Sequence, residues 1–229
     1  MTEPALTTPV GDERQRPRRR ALRWALLAVG ALVAALLVVV AIVVVPILTH
    51  DDGGTSTQEE TAEQWPDAVS AVGGDGRTRE LSVAAEDGAP VDTAALVPGQ
   101  RIVVTGSGFD GGQGIYVAIC VIDADPTVKP GPCVGGVPST GEGGDQGEVG
   151  AVEWSPSTWI NNDWAWKLFG ARPYDDVAAG TFTAYLEVGD PAADDIDCAA
   201  QTCAIVTRND HTAAGDRVQD VRIPVAFLP

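Results

Sequence analysis

The pattern of apolar and polar positions divides the chain into three regimes. Residues 24–48, WALLAVGALVAALLVVVAIVVVPIL, contain no charge and only one proline. At about 1.5 Å per residue they form a helix able to cross a hydrocarbon core of roughly 30 Å with some tilt, so a transmembrane helix is expected there. Residues 49–78 show little periodicity and many Gly, Thr, Asp and Glu, a composition that predicts an acidic flexible linker. Such a coil spans roughly 30 Å end to end. Within it, Trp65 with Ala68, Val69 and Val72 makes at most one apolar turn. From residue 79 the pattern changes to short β-rich runs cut by Gly, Pro and Asp, with strands expected near 79–85, 100–105, 115–122, 148–154, 181–188, 204–207 and 221–227. Seven short strands with turn signals between them and no strong amphipathic helix predict an all-β, seven-stranded sandwich of Ig-like type over residues 79–229. The exception is 162–169, NDWAWKLF, which reads as a short turn of helix in a long insertion.

Charge gives the apolar span an orientation. The basic tail, residues 1–23, carries Arg14, Arg16, Arg18, Arg19, Arg20 and Arg23 against Glu3, Asp12 and Glu13, whereas the far flank opens on Asp52, Glu59, Glu60, Glu63 and Asp67. Lys and Arg beside a span are retained on the cytoplasmic side, which predicts a single-pass cell-membrane protein with a cytoplasmic N-terminus and an extracellular C-terminal domain. A cleaved secretory signal needs an apolar core of about 7–15 residues and a small-x-small cleavage site, and VVPILTHDD offers neither. An uncleaved signal anchor is therefore expected. The formal net charge is -17, with nine basic and 29 acidic residues beyond the tail. That surface repels nucleic acid and favours solubility or cationic partners.

Four cysteines outside a membrane are expected to pair, and four allow three connectivities. Cys198 and Cys203 are five apart, and Cys120 to Cys133 encloses a Pro/Gly-rich loop, DADPTVKPGP. Two local staples, Cys120–Cys133 and Cys198–Cys203, are the pairing adopted. An antibody-like bridge between sheets would place a core Trp soon after the first cysteine, and none appears before Trp154. CxxxxC without a second His/Cys knuckle is poor zinc spacing, so no metal is expected.

Arg101-Ile-Val-Val-Thr-Gly-Ser-Gly-Phe-Asp-Gly-Gly, followed by Tyr116 and Cys120, resembles the second and third strands of the neocarzinostatin-type apoproteins of actinobacteria. The run from Ile196 through Cys198 and Cys203 to Val206, then a polar loop and 221–227, is similar to that family's closing hairpin. The resemblance covers residues 80–229 in pieces, and its cysteine framework is the most specific part. It implies a seven-stranded Ig-like sandwich, two local disulfides and an open crevice holding an apolar chromophore noncovalently. This chain departs from the family in its membrane anchor and in a long insertion between Gly135 and Gly180, and a fold alone does not license a function.

Several motifs test the functional classes. Gly106-Ser-Gly108-Phe-Asp-Gly111 satisfies G-x-G-x-x-G, but dinucleotide binding needs a helix to follow, and 115–122 reads as a strand; a Gly-rich turn is expected. Trp154, Trp159, Trp164, Trp166, Phe169 and Tyr174 concentrate half of the aromatics beyond the span in about 20 residues. They are either a ligand or partner site or a mini-core holding down the insertion. Trp164 and Trp166, two apart, point to nearly opposite sides of a helix, so in the short helical turn expected there they do not share one flat platform. A hydrolase around His211 would need a serine and a carboxylate beside it, and no nucleophile-elbow sequence is present. His211 is expected to bond its own turn through Asp210, Thr212 and Asp216. Asp123-Ala-Asp125 and Asp194-Asp195-Ile-Asp197 lack EF-hand spacing and read as solvated loops. These readings converge on a membrane-anchored, non-enzymatic cell-surface binding protein without catalytic residues or cofactors. Its partner is expected to be an apolar small molecule, with an envelope protein or wall component as the alternative.

Overall fold

The computed structural model describes residues 15–59, 61–136, 152–193 and 195–228. The chain forms two compact units, residues 1–49 and 50–229. The first contains helix α1, Gln15–Leu48, whose 34 residues extend about 51 Å. Its segment Arg20–Ile42 is long and apolar enough to cross a membrane, a property shared by anchors and signal sequences. The helix stops where the Thr49 amide (2.9 Å) and hydroxyl (2.8 Å) both donate to the Val45 carbonyl.

The second unit is two antiparallel sheets. One contains β1 (Ser56–Gln58), β2 (Ala68–Gly73), β3 (Thr78–Ala85), β4 (Arg101–Ser107) and β7 (Phe182–Glu187), in the order β1-β2-β3-β4-β7. The other contains β5 (Ile115–Val121), β6 (Ser157–Ile160), β8 (Cys203–Asn209) and β9 (Val221–Val225), in the order β6-β5-β8-β9. Alternation explains which face turns inward. Leu81 and Val83 of β3, Ile102 and Val104 of β4, and Phe182, Ala184 and Leu186 of β7 meet Ile115, Val117 and Ile119 of β5 and Ile205 and Ile223 from the facing sheet in one core.

Strand β5, IYVAICV, is buried on both faces except at Val121, and every residue of β8 is buried. Its continuous apolar run therefore reports a sheet covered on its outer side as well. Ala118, Cys120, Ala204 and Val206 form an outer cluster with Cys133, while Tyr116, Trp159 and Ala171 form another. The disulfides Cys120–Cys133 and Cys198–Cys203 are both formed, as the spacing suggested.

Three expectations change. The segment read as a linker belongs to the β unit and supplies β1 and β2, so the strands among the described residues number nine, against the seven expected. In β2, Val69, Ala71 and Gly73 face inward with period two, a signal diluted by the small residues between them, and the apolar turn around Trp65 is absent. Residues 50–58 are stitched to the C-terminal segment: His50 Nε2 meets Asp216 Oδ2 at 2.8 Å, Gly53 N donates to the same carboxylate, and Gln58 makes paired bonds with the Arg222 backbone. The strand expected over 148–154 falls partly outside the described residues. Its described end, 152–154, is not strand, and the edge strand is β6 instead. The glycine motif does form a turn before β5: Gly108 has φ +76°, and an added Cβ would strike the Thr78 carbonyl.

One buried carboxyl gives the fold a pH signature. Asp220 is almost fully buried beside Arg217, 3.1 Å away, and its second oxygen has no partner. Burial pushes its carboxyl up to about 7 against the pull of Arg217 and Arg222. A folded value above the unfolded one means that the native state binds the extra proton. The associated stability is full below about 4 and is lost as pH rises through about 7. Relative to Asp220→Asn, which mimics the protonated group, the wild type should therefore lose stability between about pH 4 and 7 in urea titrations, with little further change above that. A pH-independent difference would refute this assignment.

Candidate functional site: an aromatic cleft on the outer face of the second sheet

Register builds the floor of the site. Tyr116 of β5 lies opposite Trp159 of β6 on one side and Arg208 of β8 on the other, so the three side chains form a row across three strands on the outer face. The row packs tightly. The Tyr116 and Trp159 rings lie 5.9 Å apart, and the Arg208 guanidinium lies 5.7 Å from the Tyr116 centroid.

The walls come from the insertion and from the β8–β9 connection. After β6, Asp163 caps the short helix α2, Trp164–Lys167, by accepting from the Ala165 amide at 2.9 Å. The helix turns Trp166 onto Trp159 (5.5 Å) and onto His211 (4.9 Å, edge to face). His211 opens a 3₁₀ turn, His211–Ala213, capped by Asp210. The resulting cleft has a volume of about 360 Å³ and is lined by Tyr116, Trp159, Trp166, Phe169, Arg208 and His211, with Lys129, Asp210 and Ala214 completing it.

Asp210 holds the corner together. It is fully buried and accepts from Trp159 Nε1 (2.9 Å), Asn161 Nδ2 (2.8 Å), the Thr212 amide (2.9 Å) and hydroxyl (2.6 Å), and Gln113 Nε2 (3.5 Å). A carboxylate so saturated fixes ring orientation and has little capacity left for a ligand. Gly114 is required beside it, since any Cβ there would collide with the Asp210 carboxylate and the Asn161 amide.

Tyr116 Oη and His211 Nδ1 are 2.9 Å apart. Burial first, then the Asp210 charge, raises the Tyr116 phenol to about 12, so it stays neutral and donates to Nδ1 when the ring proton is on Nε2. His211 therefore bonds across the sheet to Tyr116. The expected bonds to its own turn are absent: Asp210 takes Thr212, and Asp216 takes His50 and the Val218 amide. Among the described residues, the only side-chain hydrogen bond of His211 is the one to Tyr116.

The six aromatics singled out in the sequence separate. Trp159, Trp166 and Phe169 come together in the cleft. Tyr174 is core: it is buried, edge-on to Phe182 at 6.3 Å, and donates to the Gln113 carbonyl at 2.9 Å. Trp154 lies on the other sheet, edge-on to Tyr185 at 5.3 Å and under the Arg101 guanidinium at 5.2 Å. Trp164 is 75% exposed on α2. The aromatics of the insertion thus pack as a mini-core that leaves a concavity open, with Tyr116 and Trp159 packed beneath and Trp166 and Phe169 above. Sequence reading missed Tyr116, Lys129 and Arg208 as lining residues. The available signal was the double-sided burial implied by IYVAICV and the lone arginine at the end of AIVTRN. Among the described residues no cluster of three or more potential metal ligands occurs.

No family model, curated protein or solved structure matches this chain. The geometry of the cleft therefore carries the functional reading.

Proposed function

We propose that this is a single-pass, membrane-anchored binding protein, N-terminus inside and β-sandwich outside, that holds a small apolar ring system noncovalently and performs no chemistry on it. The sandwich is read as Ig-like and neocarzinostatin-like, a reading that rests on the cysteine framework and strand pattern. The observation that carries the function is the cleft itself. Four aromatic side chains and an imidazole converge on one concavity, at the small end of the roughly 300–1,000 Å³ typical of small-molecule pockets, over a floor locked by Asp210.

A second reading has its own support. Trp164, Leu168 and Phe169 are 75%, 72% and 55% exposed on the α2 segment, an apolar tip suited to an envelope protein.

Native mass spectrometry of the full chain released from its membrane separates the two. The expected result is an added mass in the wild type that leaves on unfolding and is absent from Trp166→Ala, whose truncation should weaken binding by about 2 kcal/mol, roughly thirtyfold. A bare wild-type chain that co-purifies with an envelope protein, and loses it in Trp164→Ser with Leu168→Ser, would support the second reading instead.

A further inference from the structure

The cleft has a charged end that a purely apolar ligand would leave unused. Arg208 is 9% exposed, and its guanidinium donates one hydrogen bond, from Nη1 to the Pro130 carbonyl at 2.7 Å. Its buried Nε has no partner, and among the described residues no carboxylate lies within ion-pairing distance. Lys129, the residue before Pro130, stands exposed on the rim of the same cleft. Two cations that, among the described residues, have no carboxylate partner therefore meet one aromatic concavity. A buried, unpaired guanidinium is costly unless an anion completes it.

We infer that the cleft takes a flat aromatic acid, its ring against Trp166 and Tyr116 and its anionic group on Arg208 and Lys129.

The strongly acidic surface does not oppose this. Exposed charges beyond a Debye length of about 8 Å are largely screened in physiological salt, so the groups at the cleft decide. Of the nearby carboxyls, the negative charge of Asp210 stands alone against the two cations, at the Trp159 and Asn161 corner, and Asp220, behind Arg217, is driven toward its neutral form by burial. Burial depresses the Arg208 guanidinium, with a further push from Arg217. Partial desolvation at the rim lowers the Lys129 ammonium, and Arg208 and Arg217 lower it further. Each of these strains is relieved by an incoming negative charge. A guanidinium presents several N–H donors in one plane, which matches a carboxylate or sulfonate better than an ammonium alone.

The inference rests on the cleft being a ligand site, and the test separates the two claims. Isothermal titration of the full chain in zwitterionic bilayer discs, with empty discs as the blank, would compare 2-naphthoate with uncharged 2-naphthamide. The naphthoate is expected to bind 10- to 100-fold tighter, the range for a charge-assisted hydrogen bond. Lys129→Gln and added salt should narrow that ratio, and Arg208→Gln should abolish it. Trp166→Ala should weaken both probes. If Arg208→Gln does not fold, the rim variant Lys129→Gln still decides. Equal affinities in the wild type, both lost in Trp166→Ala, would overturn the anion preference and leave the aromatic site standing. Failure of either probe to bind at millimolar concentration would overturn both.

Discussion

Asp75→Ala should cost about 3–5 kcal/mol of stability, a large share of the 5–15 kcal/mol that a domain commands. The reason lies in its partner. Arg79 is an inward-facing position of β3 and is fully buried, with its guanidinium near the Phe109 ring, 5.9 Å to the centroid. Asp75 receives it in a fork, Nη1 to Oδ1 at 3.0 Å and Nη2 to Oδ2 at 2.6 Å, and the Arg77 carbonyl takes a weaker third bond. Removing the carboxylate strands a cation in the core, whereas removing the cation leaves Asp75 at the partly open edge, free to hydrate. Arg79→Met should accordingly cost much less than Asp75→Ala, because an apolar side chain of similar volume fills the same space. Urea denaturation of the two full-length variants, followed by near-UV circular dichroism, checks the asymmetry, and equal losses would refute it. The pair also titrates. Burial pushes the Asp75 carboxyl up, but the bonds from Arg79 and the Arg77 amide and their charges outweigh it and hold it below its ordinary value. Its contribution is complete above the ordinary carboxylate range and disappears as pH falls through the lowered folded value.

Arg79 also shows where sequence reading stops. A charged residue at the second position of TRELSVAA suggests a solvent-facing edge, yet period-two alternation with Leu81 and Val83 places it inside, and only the tertiary partner Asp75 makes that tolerable. The strands with long apolar stems, β3, β4, β5, β7, β8 and β9, were legible from composition, and so were the helical span, the turn at 162–169 and the cysteine pairs. Strands β1 and β2 were not, because three residues at an edge and an Ala/Ser/Gly-rich alternation carry little hydrophobic signal. At the cleft, the aromatic cluster pointed to the insertion that walls it but could not sort Trp159 and Trp166 from Trp154 and Tyr174. That sorting depends on which sheet each segment reaches, which is set by pairing between residues dozens of positions apart. The cations were invisible for the same reason: Arg208 and Lys129 are 79 residues apart and meet through the loop closed by Cys120–Cys133.

Breaking that closure should therefore register in both stability and binding. In the chain-entropy picture, the 13-residue separation of Cys120 and Cys133 contributes about 3 kcal/mol, against about 2 kcal/mol for the five-residue step of Cys198–Cys203. Both members of the first pair are also buried in the outer cluster over Ala118 and Val206, so their removal loosens packing as well as the unfolded-state constraint. The loop they close is fixed at other points: Arg222 donates to the Asp123 and Pro126 carbonyls, Arg208 to Pro130, and the backbone of 131–134 pairs back onto β5. A Cys120→Ala, Cys133→Ala double variant should consequently fold, with stability lower by about 3 kcal/mol, but with Lys129 and the Pro130 acceptor less well placed beside Arg208. Its naphthoate affinity should fall more than its naphthamide affinity, because the ring contacts come from Tyr116, Trp159 and Trp166 on the other side of the cleft, held by Asp210. The Cys198→Ala, Cys203→Ala variant supplies the comparison, since it is expected to lose stability without changing the ratio. If both double variants shift the two probes equally, the loop does not position the anion-binding end. The cations would then be incidental to an otherwise apolar site.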